Sequence, residues 1–234
     1  MKKVNVLVAA LAVTLGMMAT SCGDSKTNVS LKNDVDSVSY AIGVNIGTGI
    51  HNQLKTLPGA EANVDVLLAG LATTLKGDSA KMDVKDAIQY IQNYYTVASA
   101  KEATKNKEEG EKFLAENGKK SGVITTESGL QYQVMTEGTG AKPTATDKVK
   151  VHYTGTLLDG TKFDSSVDRG EPAVFGVNQV IKGWQEGLQL MPVGSKYIFW
   201  IPSELAYGTR GAGGDIKPNS VLKFEVELLE IVKQ

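Results

Sequence analysis

The sequence predicts an α+β chain, with an all-helical region first and a curled antiparallel sheet carrying one short helix after it. Three observations predict this. Apolar residues recur at helical spacing between residues 36 and 98, with Val38, Ala41, Ile42 and Ile46 in the first run and Val84, Ala87, Ile88 and Ile91 in the last. From Val123 the period changes to two, as in Val149, Val151 and Tyr153 alternating with Lys150 and His152. Between the later strands a single helical stretch, 184–190, is followed by Pro192 and Gly194 as stop signals. One helix over an antiparallel sheet is a two-layer α+β arrangement.

In chain order, residues 1–22 read as a targeting segment. Lys2 and Lys3 are followed by a mostly apolar run to Met18, too short to span a bilayer comfortably. Ala19, Thr20 and Ser21 then place small residues before Cys22, similar to a bacterial lipobox, with Ala19 where Leu is usual. Cys22 is the only cysteine, so an exported chain offers it no intramolecular partner, which favours lipidation. Each buried acyl CH₂ contributes roughly 0.8 kcal/mol, so two or three chains anchor stably. Residues 23–35 are polar and read as a tether.

Residues 36–122 read as the helical region. A first helix starts at Asp36, with Gly43, Gly47 and Gly49 inside it, each costing about 1 kcal/mol against Ala. Close approach by another helix is one reason to keep them, and a locally broken helix is the other. Pro58 and Gly59 mark a turn, residues 65–75 a second helix ending at Gly77, and Asp83 the cap of a third. If unbroken from Val84 to Asn117, that helix is roughly 50 Å long, with Gly110 its weak point. Its charges suggest Glu108–Lys112 and Glu116–Lys120 as i,i+4 pairs. Its apolar first half needs cover that two short helices supply only in part. That points to a second copy of the chain, with a monomeric helical cap as the alternative.

Residues 123–234 read as the β-rich domain. Asp159 and Gly160 join two strands in a hairpin, because Gly accepts the positive φ of the turn. Phe163 and Asp164 follow it, an apolar ring beside a carboxylate. Further on come Val180, Ile181 and Trp184, then Tyr207 at the start of a Gly-rich loop that also contains Ile216, and then Phe224 in a long final strand. These residues are candidates for the lining of one aromatic cavity. The loop's Gly-rich run, 208–214, lacks the Gly-Lys-Ser/Thr ending of a phosphate cradle and opens no helix.

Six spaced words carry a resemblance: Ser-Gly-Leu-Gln-Tyr at 128–132, Val-His-Tyr-Thr-Gly at 151–155, Gly-Thr-Lys-Phe-Asp-Ser-Ser at 160–166, Val-Ile-Lys-Gly-Trp at 180–184, Leu-Ala-Tyr-Gly at 205–208 and Phe-Glu-Val-Glu-Leu-Leu at 224–229. In this order they make residues 123–234 resemble an FKBP-type peptidyl-prolyl cis-trans isomerase domain, and the whole chain resembles the larger Mip/FkpA-like bacterial subfamily. The resemblance implies an isomerase acting on X-Pro bonds of exported polypeptides, with no cofactor and no metal. It implies Trp184 as pocket floor and Tyr153, Phe163, Val180, Ile181, Ile216 and Phe224 as walls. Tyr207 would offer its hydroxyl to a substrate carbonyl, and Asp164, held by Arg169, would form the polar edge. It implies a homodimer through the N-terminal helices and an exported protein anchored to the envelope through lipid on Cys22. Ala173, Ala212 and Asp215 depart from the pattern of small family members, which puts tight macrolide binding in doubt.

Composition narrows the alternatives. A net charge of −1 over 234 residues leaves no basic excess for nucleic acid, and two histidines with one cysteine make a zinc site or a Cys/His nucleophile improbable. His152 reads as structural. A chaperone that holds unfolded clients, with isomerisation secondary, and a surface-interaction protein on a retired isomerase fold stay open as other functions.

Overall fold

The computed structural model describes residues 29–59 and 61–232, so Cys22, the targeting segment and residues 23–28 of the tether lie outside the described residues. The chain divides into two compact units, residues 1–47 and 48–234.

In the first unit, helix α1 (Asp34–Leu54, which runs on into the second) begins two residues before the expected start. Asn33 explains the shift, because its side chain accepts from the Asp36 N–H at 2.9 Å and so caps the helix. Gly43, Gly47 and Gly49 do not break it. A Cβ at any of them would meet nothing within 4 Å among the described residues, so the close approach that would justify them is not made there.

The second unit holds the remaining elements. Helix α2 (Val64–Lys76) starts at the Asn63 cap and ends at Gly77 in the left-handed conformation, φ 74°. Helix α3 (Val84–Asn117) is capped by Asp83 and runs unbroken. Gly110 is therefore not its weak point. It is buried, and a Cβ there would lie 2.7 Å from Val221 Cγ2, so its missing side chain lets the helix backbone approach the sheet domain. The ion pairs along α3 are Lys105–Glu109 and Lys107–Glu111, both at 3.9 Å and exposed, rather than the expected Glu108–Lys112 and Glu116–Lys120. At such exposure side-chain entropy offsets most of the gain, so the choice between neighbouring pairs is energetically shallow. Val84, Ile88 and Ile91 are exposed, as the uncovered apolar side requires.

The sheet contains β1 (Val123–Thr125), β2 (Gln131–Thr136), β3 (Lys148–Thr156), β4 (Lys162–Ser165), β5 (Ala173–Gly176), β6 (Lys196–Ile201) and β7 (Leu222–Val232). Its order is β1-β2-β6-β7-β3-β4, all antiparallel, with β5 also paired to β3. Strand β3 changes partner along its length. Its first half pairs with β5 up to Val151–Ala173, and its second half pairs with β4 from Thr154–Ser165. Tyr153 stands at the handover. On the other side of β3, β7 pairs along the whole strand, which brings Gly155 opposite Phe224. Helix α4 (Lys182–Leu190) turns Trp184 and Leu188 into the core, where they meet Val151, Phe199 and Val226 among others. Three short 3₁₀ turns accompany it, so 184–190 is the core of the domain's α-helix but not its only helical segment.

The end of α3 is tied to β2. Asn117 and Gln131, both buried, bond to each other at 3.0 Å, and Gln131 donates to the Leu114 carbonyl at 2.8 Å. Each buried amide is thereby paired, as burial demands.

Candidate active site

A cavity of about 200 Å³ opens between β3, β4, β5, α4 and the loop before β7. Tyr153, Phe163, Asp164, Val180, Ile181, Trp184, Tyr207, Ile216 and Phe224 all line it, so the residues expected from the sequence converge on one place. Phe175 is the member that sequence reading missed. Its strand is only four residues long and has no polar residue to mark an alternation. The usable signal is its position two residues after Ala173, on the same face of β5.

The floor is Trp184, which is 4% exposed. Tyr153, Phe175 and Phe224 meet its indole edge to face, with centroids at 5.3, 5.7 and 5.2 Å. Phe163 in turn meets Phe224 edge to face at 5.5 Å. Such T-shaped pairs contribute about 0.5–1.5 kcal/mol beyond the area they bury, which makes the cage rigid before any ligand arrives. The indole Nε1 is buried and has no hydrogen-bond partner among the described residues. Gly155 gives the walls room, since a Cβ there would stand 2.6 Å from Phe163 Cζ and 2.7 Å from Phe224 Cε1.

The polar edge lies at the mouth. The Tyr153 hydroxyl donates to Asp164, and Arg169 pairs with Asp164 through Nη1 and reaches the Tyr153 oxygen through Nη2 at 3.0 Å. Burial pushes the Asp164 carboxyl up, but the hydrogen bonds from Tyr153 and Arg169 outweigh it and hold the group below its ordinary value. Burial and the bond to Asp164 push the Tyr153 phenol up, so it stays a donor. His152 points its Nδ1 at Ser166 Oγ, 3.1 Å away, and Ser166 Oγ accepts from the Tyr153 N–H at 2.8 Å. His152 thus supports the strand beneath Tyr153 rather than the cavity. The Tyr207 ring is 40% exposed at the rim, and its hydroxyl has no partner among the described residues.

Of the departures, Ala173 packs against the core beside Phe175. Asp215 faces away from the aromatic cage and lines a separate cavity of about 380 Å³ beside α3, together with Lys55, Glu102 and Asp159. Among the described residues no three His, Cys, Asp or Glu side chains converge on one point.

Two family models match. Residues 139–229 fit the FKBP-type peptidyl-prolyl cis-trans isomerase, and residues 35–134 fit the domain amino terminal to it. A curated relative from Aeromonas hydrophila, the FKBP-type peptidyl-prolyl cis-trans isomerase FkpA, is 49% identical over 99% of this chain and 94% of its own. The chain belongs to the FKBP-type peptidyl-prolyl cis-trans isomerases. A second relative of this isomerase is the outer membrane protein MIP of Legionella longbeachae, 40% identical over 100% of this chain and 98% of its own. The crystal structure of FkpA from Escherichia coli superposes with a TM-score of 0.63 at 36% identity, covering 86% of this chain and 98% of that one. The isomerase carries its aromatic cage where the matched catalytic-domain model lies, between residues 139 and 229.

Proposed function

We propose that the aromatic cage isomerises X-Pro bonds by receiving the proline ring over Trp184 and favouring the twisted amide over the planar one. Rotation about a peptide bond costs about 18–20 kcal/mol because resonance is lost, and X-Pro bonds exchange only over tens to hundreds of seconds. The twisted amide has less charge separation than the planar one. An apolar enclosure therefore disfavours the ground state more than the transition state, which is differential binding without a nucleophile. The observation that carries this reading is the enclosure itself: the five rings of Tyr153, Phe163, Phe175, Trp184 and Phe224 around one cavity of about 200 Å³, with polar groups only at its mouth. Tyr207 supplies a hydroxyl to the substrate carbonyl, and the Tyr153–Asp164–Arg169 network orients the polar edge.

The substrates in this reading are proline-containing segments of exported polypeptides. The envelope setting draws support from the relative named as an outer membrane protein and from the lipobox-like residues before Cys22. Among the described residues no helix is long and apolar enough to cross a membrane. The lipobox-like residues support attachment through lipid on Cys22. Residues 36–122 serve as the dimerisation region, and the exposed Val84, Ile88 and Ile91 are what a second copy would cover. Residues 123–234 are the isomerase domain.

The test is a protease-coupled isomerase assay on X-Pro peptides. Phe163→Ala with Asp164→Ala, which removes one wall and the edge, should lower kcat/KM by at least about tenfold, equivalent to about 1.4 kcal/mol. Full activity in this double variant would refute the assignment of the cage.

A further inference from the structure

We infer that the last turns of α3 belong to the isomerase's working parts: Asn106 and Gly110 of the helix, together with Asn219, hold in place the loop that carries Tyr207 and Ile216 to the cavity. This rests on the role proposed above for the Tyr207 hydroxyl.

The loop cannot hold itself. Between Tyr207 and Lys217 it contains Gly208, Gly211, Gly213 and Gly214, which give it high backbone freedom. Its internal restraint is the bridge between Ala212 and Ile216, with bonds of 2.8 and 3.2 Å. The base is closed by the Asn219 N–H on the Gly208 carbonyl at 2.9 Å, next to Tyr207. Asn219 sits at φ 59°, the only non-glycine at positive φ among the described residues. A side chain is strained there, and Asn tolerates it best.

Two reciprocal amide bonds hold this strained corner to α3. Asn219 Nδ2 donates to the Ala103 carbonyl at 3.0 Å, and Asn106 Nδ2 donates to the Pro218 carbonyl at 2.9 Å. Ala103, Asn106 and Gly110 follow at i, i+3 and i+7, so they form one stripe on one face of the helix. The third member completes the seat, because the bare backbone of Gly110 admits the buried Val221, two residues after Asn219. Helix, corner and strand start are thus joined at three successive points. The loop leaves this joint and returns to it, with Ile216 in the cavity wall and Tyr207 at the rim. These are positioning residues, as none of the three lines the aromatic cavity.

The test uses the full chain with Asn106→Leu, which keeps volume but loses the donor, and Asn219→Gly, which keeps φ but loses the strap. Each is also placed in a Tyr207→Phe background. Two quantities are read: kcat/KM on an X-Pro peptide and backbone amide exchange by NMR. Each single variant should lose about three- to fivefold in kcat/KM, the scale of one hydrogen bond. Less than about 1.5-fold of that loss should remain once Tyr207 is already Phe. The Ala212, Ile216 and Asn219 amides should exchange about tenfold faster while those of Val151 and Val226 stay unchanged. A slow Tyr207→Phe alongside strap variants with wild-type rate and wild-type loop exchange would overturn the strap alone. A full-rate Tyr207→Phe would overturn the hydroxyl's role and, with it, this positioning function. Equal losses in both backgrounds would show that the strap does not act through the Tyr207 hydroxyl and overturn the inference, and faster exchange throughout the sheet would reveal general destabilisation and overturn it as well.

Discussion

Gly155→Ala is a sharp probe of the cage, because it adds one methyl behind two walls without replacing either of them. The added Cβ would lie 2.6 Å from Phe163 Cε2 and Cζ and 2.7 Å from Phe224 Cε1, so those rings must withdraw by about 0.8 Å to regain ordinary contact at 3.4 Å. Phe224 is 5% exposed and braced by Trp184, whereas Phe163 is only half-buried. Phe163 should therefore yield, and since it lines the cavity its displacement reshapes that wall. Overpacking of this kind costs about 1–3 kcal/mol, and replacing a strand glycine returns about 0.5–1 kcal/mol of backbone entropy. The net loss of stability should be about 0.5–2 kcal/mol in urea unfolding. If the two rings are substrate walls, kcat/KM should fall about tenfold or more in the coupled assay, since misplacing a wall loses contacts made in the transition state. A variant that is destabilised by this amount yet isomerises at the wild-type rate would show that Phe163 and Phe224 are packing and not walls.

The other expectations are independent of that result. Tyr207→Phe should cost up to about tenfold in kcat/KM and leave the unfolding midpoint within error, the worth of one exposed hydroxyl's hydrogen bond. Because the Asp164 carboxyl lies below its ordinary value in the folded chain, its network is fully formed above the unfolded carboxylate value of about 3.9 and is lost as pH falls through the lower folded value. The rate should therefore be flat across neutral pH and decline only in acid, and a steep change near pH 7 in a pH–rate profile would contradict it. The mature chain should sediment as a dimer, and charged substitutions at Ile88 and Ile91 should shift it to monomer; a wild-type monomer at high micromolar concentration would refute this. Fatty-acid label should enter the wild type and not Cys22→Ala, and an unlabelled wild type would exclude the anchor.

The sequence was most legible where the signal is local. Period-2 alternation and the Asp159–Gly160 turn announced the hairpin, and Gly160 does adopt φ 91°. Ordered motifs then brought Tyr153, Trp184, Tyr207 and Phe224 to the same cavity from elements far apart in the chain. What was illegible depends on partners distant in sequence. Gly110 looked like a helix breaker because the residue that explains it, Val221, lies in another domain-scale element. Phe175 was hidden because a four-residue strand between Pro172 and a 3₁₀ turn gives no period to read. The start of α1 was misjudged by two residues because Asn33 was read as tether when its side chain is the cap. The glycines of α1 have no reason among the described residues, where a Cβ at any of them would meet nothing within 4 Å.

The change of partner along β3 separates two properties that a catalytic cavity usually ties together. Because β4 and β5 each hold their own half of β3, the connection across residues 166–172 is a span whose length neither pairing dictates. Arg169 rides on that span, whereas the rings of the cage sit on the strands and on α4. Lengthening or shortening it would alter the charge presented at the entrance while leaving the hydrophobic chamber in register. If the cage is the site of isomerisation, preference for the residues that flank proline would then drift, or be engineered, by loop exchange alone, without rebuilding the rings around the bond.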